Sequence, residues 1–384
     1  MCIVIAPDSF KESLTAIQVA QAIKFGMAEV LTEAQFELVA MADGGEGTAQ
    51  AIANNLPSQW IDIQVLDPLK RHIQSKYLIC QDDIGELAVI EMASASGLHL
   101  LKTQERNPLI TSTFGVGQMI LDALQRGIQR FILAIGGSAT NDAGLGMLQA
   151  LGYQFLDMNG NDIGNGGIAL QSLAKIILSP LHQQLLALDI RVACDVQNPL
   201  CGEQGASHIY GAQKGATAKD INVLDQALSH FAKQVKLSHL PDCQYHAGAG
   251  AAGGLGFALM SFLQADLLSG FTLVSEICQL PNKIQKADLV ITGEGKMDAQ
   301  TAMGKVASGV LKLAQSHTVP VIAICGAVDT PKPVWQKQGY DLVLSSLQKL
   351  DSLENIFDSA EQNIYTTAFN LAQALQMGNK LLRK

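Results

Sequence analysis

The strongest constraint in this chain is a rhythm. A short apolar run, a loop and then a stretch with apolar residues at helical spacing recur at both ends. Cys2–Ala6 is the first such run. Thr15 and Gln18 then have the spacing of a capping box, and Val19, Ile23, Met27 and Val30 form a stripe on one helix face. Phe36–Ala42 predicts a second strand, followed by a glycine-rich turn and a helix near Gly47–Asn54. Toward the C-terminus, Asp288–Thr292, Val321–Cys325 and Leu342–Ser345 predict three more strands. Helices are expected over about Thr301–Gln315 and from about Glu361 onward. Five strands joined by crossover helices predict a doubly wound parallel sheet.

The middle of the chain reads differently. Trp60–Leu66, His72–Cys80 and Leu87–Glu91 are strand-like and joined by short polar turns, which is the chemistry of an antiparallel meander. Phe131–Ile135 and Ile190–Cys194 would extend that sheet. The expectation is a second α/β domain, residues 58–282, inserted into an outer domain of residues 1–57 and 283–384. A length of 384 residues, with 48% hydrophobic and 16% charged, accommodates two buried cores.

Charge and cysteine usage narrow the function classes. A formal net charge of −9 argues against a general nucleic-acid or anionic-membrane partner. Seven scattered cysteines with no CxxC suggest reduced thiols, and eight histidines show no zinc-ligand spacing. The N-terminal run is too short for a signal peptide. Glycines and Asp266 interrupt the most apolar stretch, Gly248–Leu268, so no membrane span is expected. A cytoplasmic protein is the expectation.

Three loops follow three strands of the outer domain: Asp8-Ser9-Phe10-Lys11, Asp43-Gly44-Gly45-Glu46-Gly47-Thr48 and Gly293-Glu294-Gly295-Lys296-Met297-Asp298. In a parallel sheet all three lie at the carboxyl ends, where open sheets bind ligands at the point of strand-order reversal. With order 2-1-3-4-5, Asp8, Lys11, Glu294 and Lys296 face one crevice. Glycines admit backbone N–H groups to phosphate oxygens, and a following helix N-terminus favours an anion. Lys11 and Lys296 suit neutralising phosphate charge, while Asp43, Glu46 and Glu294 suit holding Mg²⁺. Any one of these loops alone would more often be a tight turn.

The inserted domain has candidates of its own. Gly136-Gly137-Ser138-Ala139-Thr140-Asn141-Asp142 follows a strand and opens a helix. It suits a bound carboxylate or phosphate, and equally a polar N-cap cluster. Thr111–Gly115 reads as an N-cap. Asp195, at a strand end, suits a general base or an Asx turn ahead of Pro199. Tyr210–Gly215 is a basic loop or a surface turn. Gly248–Gly253 matches GxGxxG in letters, yet no apolar strand precedes it, as the dinucleotide fingerprint requires. No P-loop, protein-kinase signature or GxSxG elbow occurs.

APDSFKESLTA at Ala6–Ala16, ADGGEGT at Ala42–Thr48, GGSATNDAGLGML at Gly136–Leu148, ACDVQNPLCGEQGA at Ala193–Ala206 and VITGEGKMDAQT at Val290–Thr301 resemble the bacterial glycerate kinase type 1 family. QKGA at Gln213–Ala216 and GAGAAGGLGFAL at Gly248–Leu259 fit it too. The resemblance spans nearly the whole chain. It implies a flavodoxin-like domain with an inserted α/β domain, and transfer from ATP to (R)-glycerate with Mg²⁺. The product implied is 2-phosphoglycerate, with 3-phosphoglycerate the alternative.

The resulting expectation makes Asp8, Lys11, Asp195 and Lys296 catalytic. Ser9, Gly44, Gly45, Gly47, Ser138, Thr140, Asn141, Asn198, Gly293 and Gly295 bind substrate or phosphate. The rivals are an NAD-linked hydroxy-acid dehydrogenase, resting on the GxGxxG match, and a non-catalytic sensor of small anions. Oligomeric state is left open.

Overall fold

A computed structural model of the chain describes residues 1–298, 306–329 and 331–382. Its strands, in chain order, are β1 (Cys2–Ile5), β2 (Gln35–Leu38), β3 (Ser58–Leu66), β4 (His72–Gln81) and β5 (Glu86–Glu91). They continue with β6 (Arg130–Ala134), β7 (Gln154–Leu156), β8 (Lys175–Ile177), β9 (Asp189–Ala193) and β10 (Asp266–Leu268). The last are β11 (Leu289–Thr292), β12 (Lys296–Met297), β13 (Val321–Cys325), β14 (Ala327–Val328) and β15 (Leu342–Ser345). The chain divides into two compact units, Met1–Asp43 with Gln50–Leu56 and Phe271–Lys384, and Gly44–Ala49 with Pro57–Gly270.

The first unit is a five-stranded sheet in the order β2-β1-β11-β13-β15, with every pair parallel. Counted within the unit this is the 2-1-3-4-5 order, with the reversal between β1 and β11. Ile3, Val4 and Ile5 are all fully buried, as are Val290 and Ile291. A strand covered on both faces needs such a continuous apolar run rather than alternation. Ile3, Ile5, Ile291 and Ile324 share a core with the helices Ala16–Ala28 and Ala360–Leu382. Thr15 and Gln18 cap the first of these reciprocally, and Val19, Ile23 and Met27 are its buried stripe. The helix Val306–Ser316 packs on β11 and β13. Its expected start near Thr301 lies outside the described residues.

The second unit holds a six-stranded sheet in the order β10-β9-β6-β5-β4-β3. β3, β4 and β5 form the expected antiparallel meander. β6 and β9 extend it as expected, and both run parallel to β5. β10 was not foreseen. It is three residues long, pairs with β9, and directly follows a long apolar helix, so it has no alternation of its own. The core centres on Tyr153, Phe155, Phe231, Phe257 and Phe262, whose rings meet edge to face, tilted or stacked. The helix Ala218–Leu237 delivers Phe231 from a face carrying Leu224, Leu228 and Val235.

Among the described residues no helix is long and apolar enough to cross a membrane, and no disulfide forms.

Candidate functional site

In the first unit, the residues just beyond β1 and β11 are tied across the reversal point: Asp8 N–H donates to the Gly293 carbonyl at 2.9 Å. A cavity of 510 Å³ opens there. One side is charged, with Asp8, Lys11, Asp43, Glu294, Lys296 and Asp298. Ser9 and Gly295 also line it. The other side is largely apolar, with Phe10, Leu347, Leu353, Ile356, Phe357 and Ala360. Loops following β1, β2, β11, β13 and β15 all reach it, as the carboxyl ends of parallel strands must.

Asp8 is nearly buried, and its carboxylate accepts Ser9 N–H at 2.7 Å. Burial and the neighbouring Asp43 push its pKa up to about 6, and Glu294 adds to the rise while Ser9 and Lys11 oppose it. Lys11 is exposed. Lys296 is exposed too and pairs with Asp329 at 3.0 Å, which holds its ammonium above the usual range. It stands on β12, beside Ala327 of β14. Gly293 has a packing reason to be glycine, because a Cβ there would collide with the Ile324 carbonyl oxygen. Gly326 meets the Gly295 carbonyl in the same way.

Sequence reasoning missed the walls contributed by Gly326–Ala327, Ser346–Leu347 and Leu353–Asn363. The signal was present for the first two pairs, since each follows a parallel strand directly. The helix Leu353–Asp358 gave none, being short, though Ser352 caps it.

Asp43 lines this cavity and Glu46 does not. Glu46 is exposed on the loop Gly44–Ala49, which belongs to the second unit. That loop was expected to offer a phosphate the N-terminus of the helix Thr48–Ala53. The position is already taken: Glu91, at the end of β5, accepts Ala49 N–H at 2.8 Å and is also hydrogen-bonded by the N–H groups of Gly47 and Thr48. Burial raises the Glu91 pKa even so. Gly44 and Gly47 adopt positive φ, and a Cβ on Gly44 would crowd Ala193 and Gly270. Gly45 accepts the Thr48 hydroxyl at 2.7 Å, closing the turn. Among the described residues no three His, Cys, Asp or Glu side chains converge to hold a metal by themselves.

The loop Gly136–Asp142 shows the same internal capping. Its helix, Leu145–Ala150, begins later than expected, and Asp142 accepts N–H groups from Gly144 and Gly146 at 3.2 Å. Asp142 also accepts the Thr113 N–H and hydroxyl, each at 2.9 Å. Its pKa is raised by complete burial despite these donors. Thr111–Thr113 is therefore more than an N-cap: Thr113 receives Met147 N–H at 2.9 Å and Thr111 binds the Ala139 carbonyl at 3.0 Å. Ser138, Thr140 and Asn141 are all buried. Lys214 is buried with them, so the loop Tyr210–Gly215 is not a surface turn at that residue.

Asp195 is exposed at the end of β9 and accepts Gly270 N–H at 3.1 Å. Asn198 engages both ends of its amide, donating to the Gln204 carbonyl at 2.8 Å and accepting the Tyr210 hydroxyl at 2.7 Å. Gly248–Gly253 is not a dinucleotide loop, since no strand leads into it. Its glycines allow chain-on-chain packing: Cβ atoms on Gly250 and Gly253 would strike the carbonyls of Pro199 and Thr140.

A doubly wound α/β unit with a half-charged, half-apolar cavity at its reversal point defines a nucleotide- or small-anion-handling class of protein. The particular family follows from comparison with known proteins. The glycerate kinase family model matches residues 3–376. A glycerate kinase from Haemophilus influenzae is 46% identical over 98% of this chain and 99% of its own. Glycerate 2-kinase from Escherichia coli is likewise 46% identical, over 98% of this chain and 99% of its own. A crystal structure from Salmonella typhimurium LT2, solved under the assignment glycerate kinase 2, superposes with TM-score 0.90 at 43% identity over 99% of both chains. The chain belongs to the glycerate kinase family.

Proposed function

We propose that this enzyme is a cytoplasmic kinase transferring the γ-phosphoryl group of ATP to (R)-glycerate, with 2-phosphoglycerate and ADP as products. The observation that carries the reading is the two-sided cavity of the first unit. Its apolar side, with Phe10, Leu347 and Phe357, suits a purine base, and its charged side suits a polyphosphate. The 2-phosphoglycerate product follows the name of the Escherichia coli relative. The dehydrogenase alternative loses its support with the missing strand before Gly248.

Four carboxylates face two lysines along the cavity, so a bare polyphosphate would be repelled. A divalent cation reconciles the two. Mg²⁺ takes one or two protein carboxylates and fills its remaining positions with phosphate oxygens and water, which fits a site where no three ligands converge among the described residues. Asp43 and Glu294 would hold it, directly or through water, and the ion would neutralise charge on the phosphates. Lys11 and Lys296, both exposed, add positive charge at the phosphoryl group. Asp8 is also the group suited to receive the proton of the attacking hydroxyl, since its pKa near 6 lies close to working pH. Asp195 is the weaker candidate, because its carboxylate already caps Gly270.

The test is ADP release from Mg-ATP with and without D-glycerate. Glycerate-dependent release that EDTA abolishes and excess Mg²⁺ restores is expected. Release indifferent to glycerate would overturn the proposal.

A further inference from the structure

Lys214 is 2% exposed, an unusual place for a lysine. Its ammonium donates to Ser138 Oγ at 2.8 Å and to the Thr140 carbonyl at 2.7 Å. Burial lowers its pKa to about 7, and Asp142 opposes the fall. The four donors on Asp142 come from Thr113, Gly144 and Gly146, so Lys214 is not there to satisfy that carboxylate directly.

Ser138 is where this buried charge comes nearest to solvent, at 9% exposed against none for Thr140 and Asn141. Its oxygen accepts from the ammonium, so its own proton must be donated elsewhere. Among the described residues no acceptor takes that proton. Beside it, Thr140 Oγ1 and Asn141 Oδ1 are buried with no hydrogen-bond partner. Native interiors rarely leave such groups unsatisfied, and a run of them within four residues calls for a ligand.

The loop cannot turn to satisfy them itself. Ser138 is bridged to Gly97, and Ala139 N–H donates to the Ser96 carbonyl at 2.9 Å. On the other side Ala143 N–H donates to the Gly253 carbonyl at 3.0 Å. Ala143 and Ala252 both sit at positive φ, strain that persists only where the surroundings impose it.

We propose that this loop is the carboxylate subsite for the substrate: the Ser138 hydroxyl donates to a carboxylate oxygen, and Lys214 acts through Ser138 as a positioning residue that supplies the positive charge. Glycerate offers that carboxylate, and the inference rests on the glycerate kinase reading.

Calorimetry on the full chain tests it, with D-glycerate and, separately, a non-hydrolysable ATP analogue. Lys214→Met keeps the length and removes the charge. Ser138→Ala removes the hydroxyl and leaves the lysine its Thr140 contact. Each variant is expected to weaken D-glycerate binding at least about tenfold, the loss of one hydrogen bond to a charged group. Analogue binding should stay within about threefold, and the preference for glycerate over its neutral amide should collapse in Lys214→Met. Ser138→Thr, which keeps the hydroxyl, should restore most of the glycerate affinity. Unchanged glycerate affinity, loss of both ligands together, or a preserved preference over the amide would overturn the inference. A wild-type protein that releases no ADP with D-glycerate would instead remove the kinase reading on which it rests.

Discussion

Asp8 shows how a single buried carboxylate can be costly to the fold and useful to the chemistry. Its pKa stands near 6 instead of 3.8, so the folded chain binds a proton there more tightly than the unfolded chain does. Its contribution to stability is therefore lost as pH rises from about 4 to about 6, on the order of 3 kcal/mol in all. At pH 8, Asp8→Asn is predicted to raise the stability measured by urea denaturation by about 1–3 kcal/mol, since Asn can still accept Ser9 N–H. The same variant should lose most of its turnover, and the rise of wild-type kcat/KM through about pH 6 should vanish with it. Lys296→Ala tests the opposite case, an exposed group. Its pairing with Asp329 is solvent-screened, so melting temperature should not move, while kcat should fall by roughly tenfold or more. The positions of Asp8, Ser9, Lys11, Glu294 and Lys296 were legible because each follows an apolar run directly. Lys214 and Glu91 were not, because their roles come from burial and from partners far away in sequence.

At the scale of elements, the chain fills the N-termini of both Thr48–Ala53 and Leu145–Ala150 with its own carboxylates, Glu91 and Asp142. The sequence reading expected an anion at the first, and for the second it held anion binding and a polar N-cap cluster equally open. A helix start after a glycine-rich loop is visible in sequence. Glu91 sits on another element, so nothing local announces it, whereas Asp142 stands in the loop that leads into its helix. The glycines divide in the same fashion. Gly293 is required by a close approach to β13, whereas a Cβ on Gly295 would only touch Phe10 at an ordinary 3.4 Å. Gly293→Ala is predicted to cost about 1–3 kcal/mol in urea unfolding, and Gly295→Ala less than about 1 kcal/mol. Equal costs would show that the packing argument is wrong.

For the whole molecule, the fold was the most legible part. Five continuous apolar runs fixed a parallel sheet and turn chemistry marked the meander, while the short edge strand β10 carried too few residues to be seen. Among the described residues the two cores share none. We propose on that ground that the inserted domain expected at residues 58–282 folds on its own. A fragment spanning Pro57–Gly270 should unfold in a single cooperative transition with its near-ultraviolet signal intact beforehand. A fragment with helical signal but no cooperative transition would contradict this.

The most direct measurement is proton-coupled phosphorus NMR of the product formed from Mg-ATP and D-glycerate. A phosphate on the 2-hydroxyl couples to a single carbon-bound proton and appears as a doublet, and that doublet is the predicted result. A triplet would place the phosphate on the 3-hydroxyl and correct the product. The absence of any glycerate-dependent phosphoester signal would contradict the account at its centre.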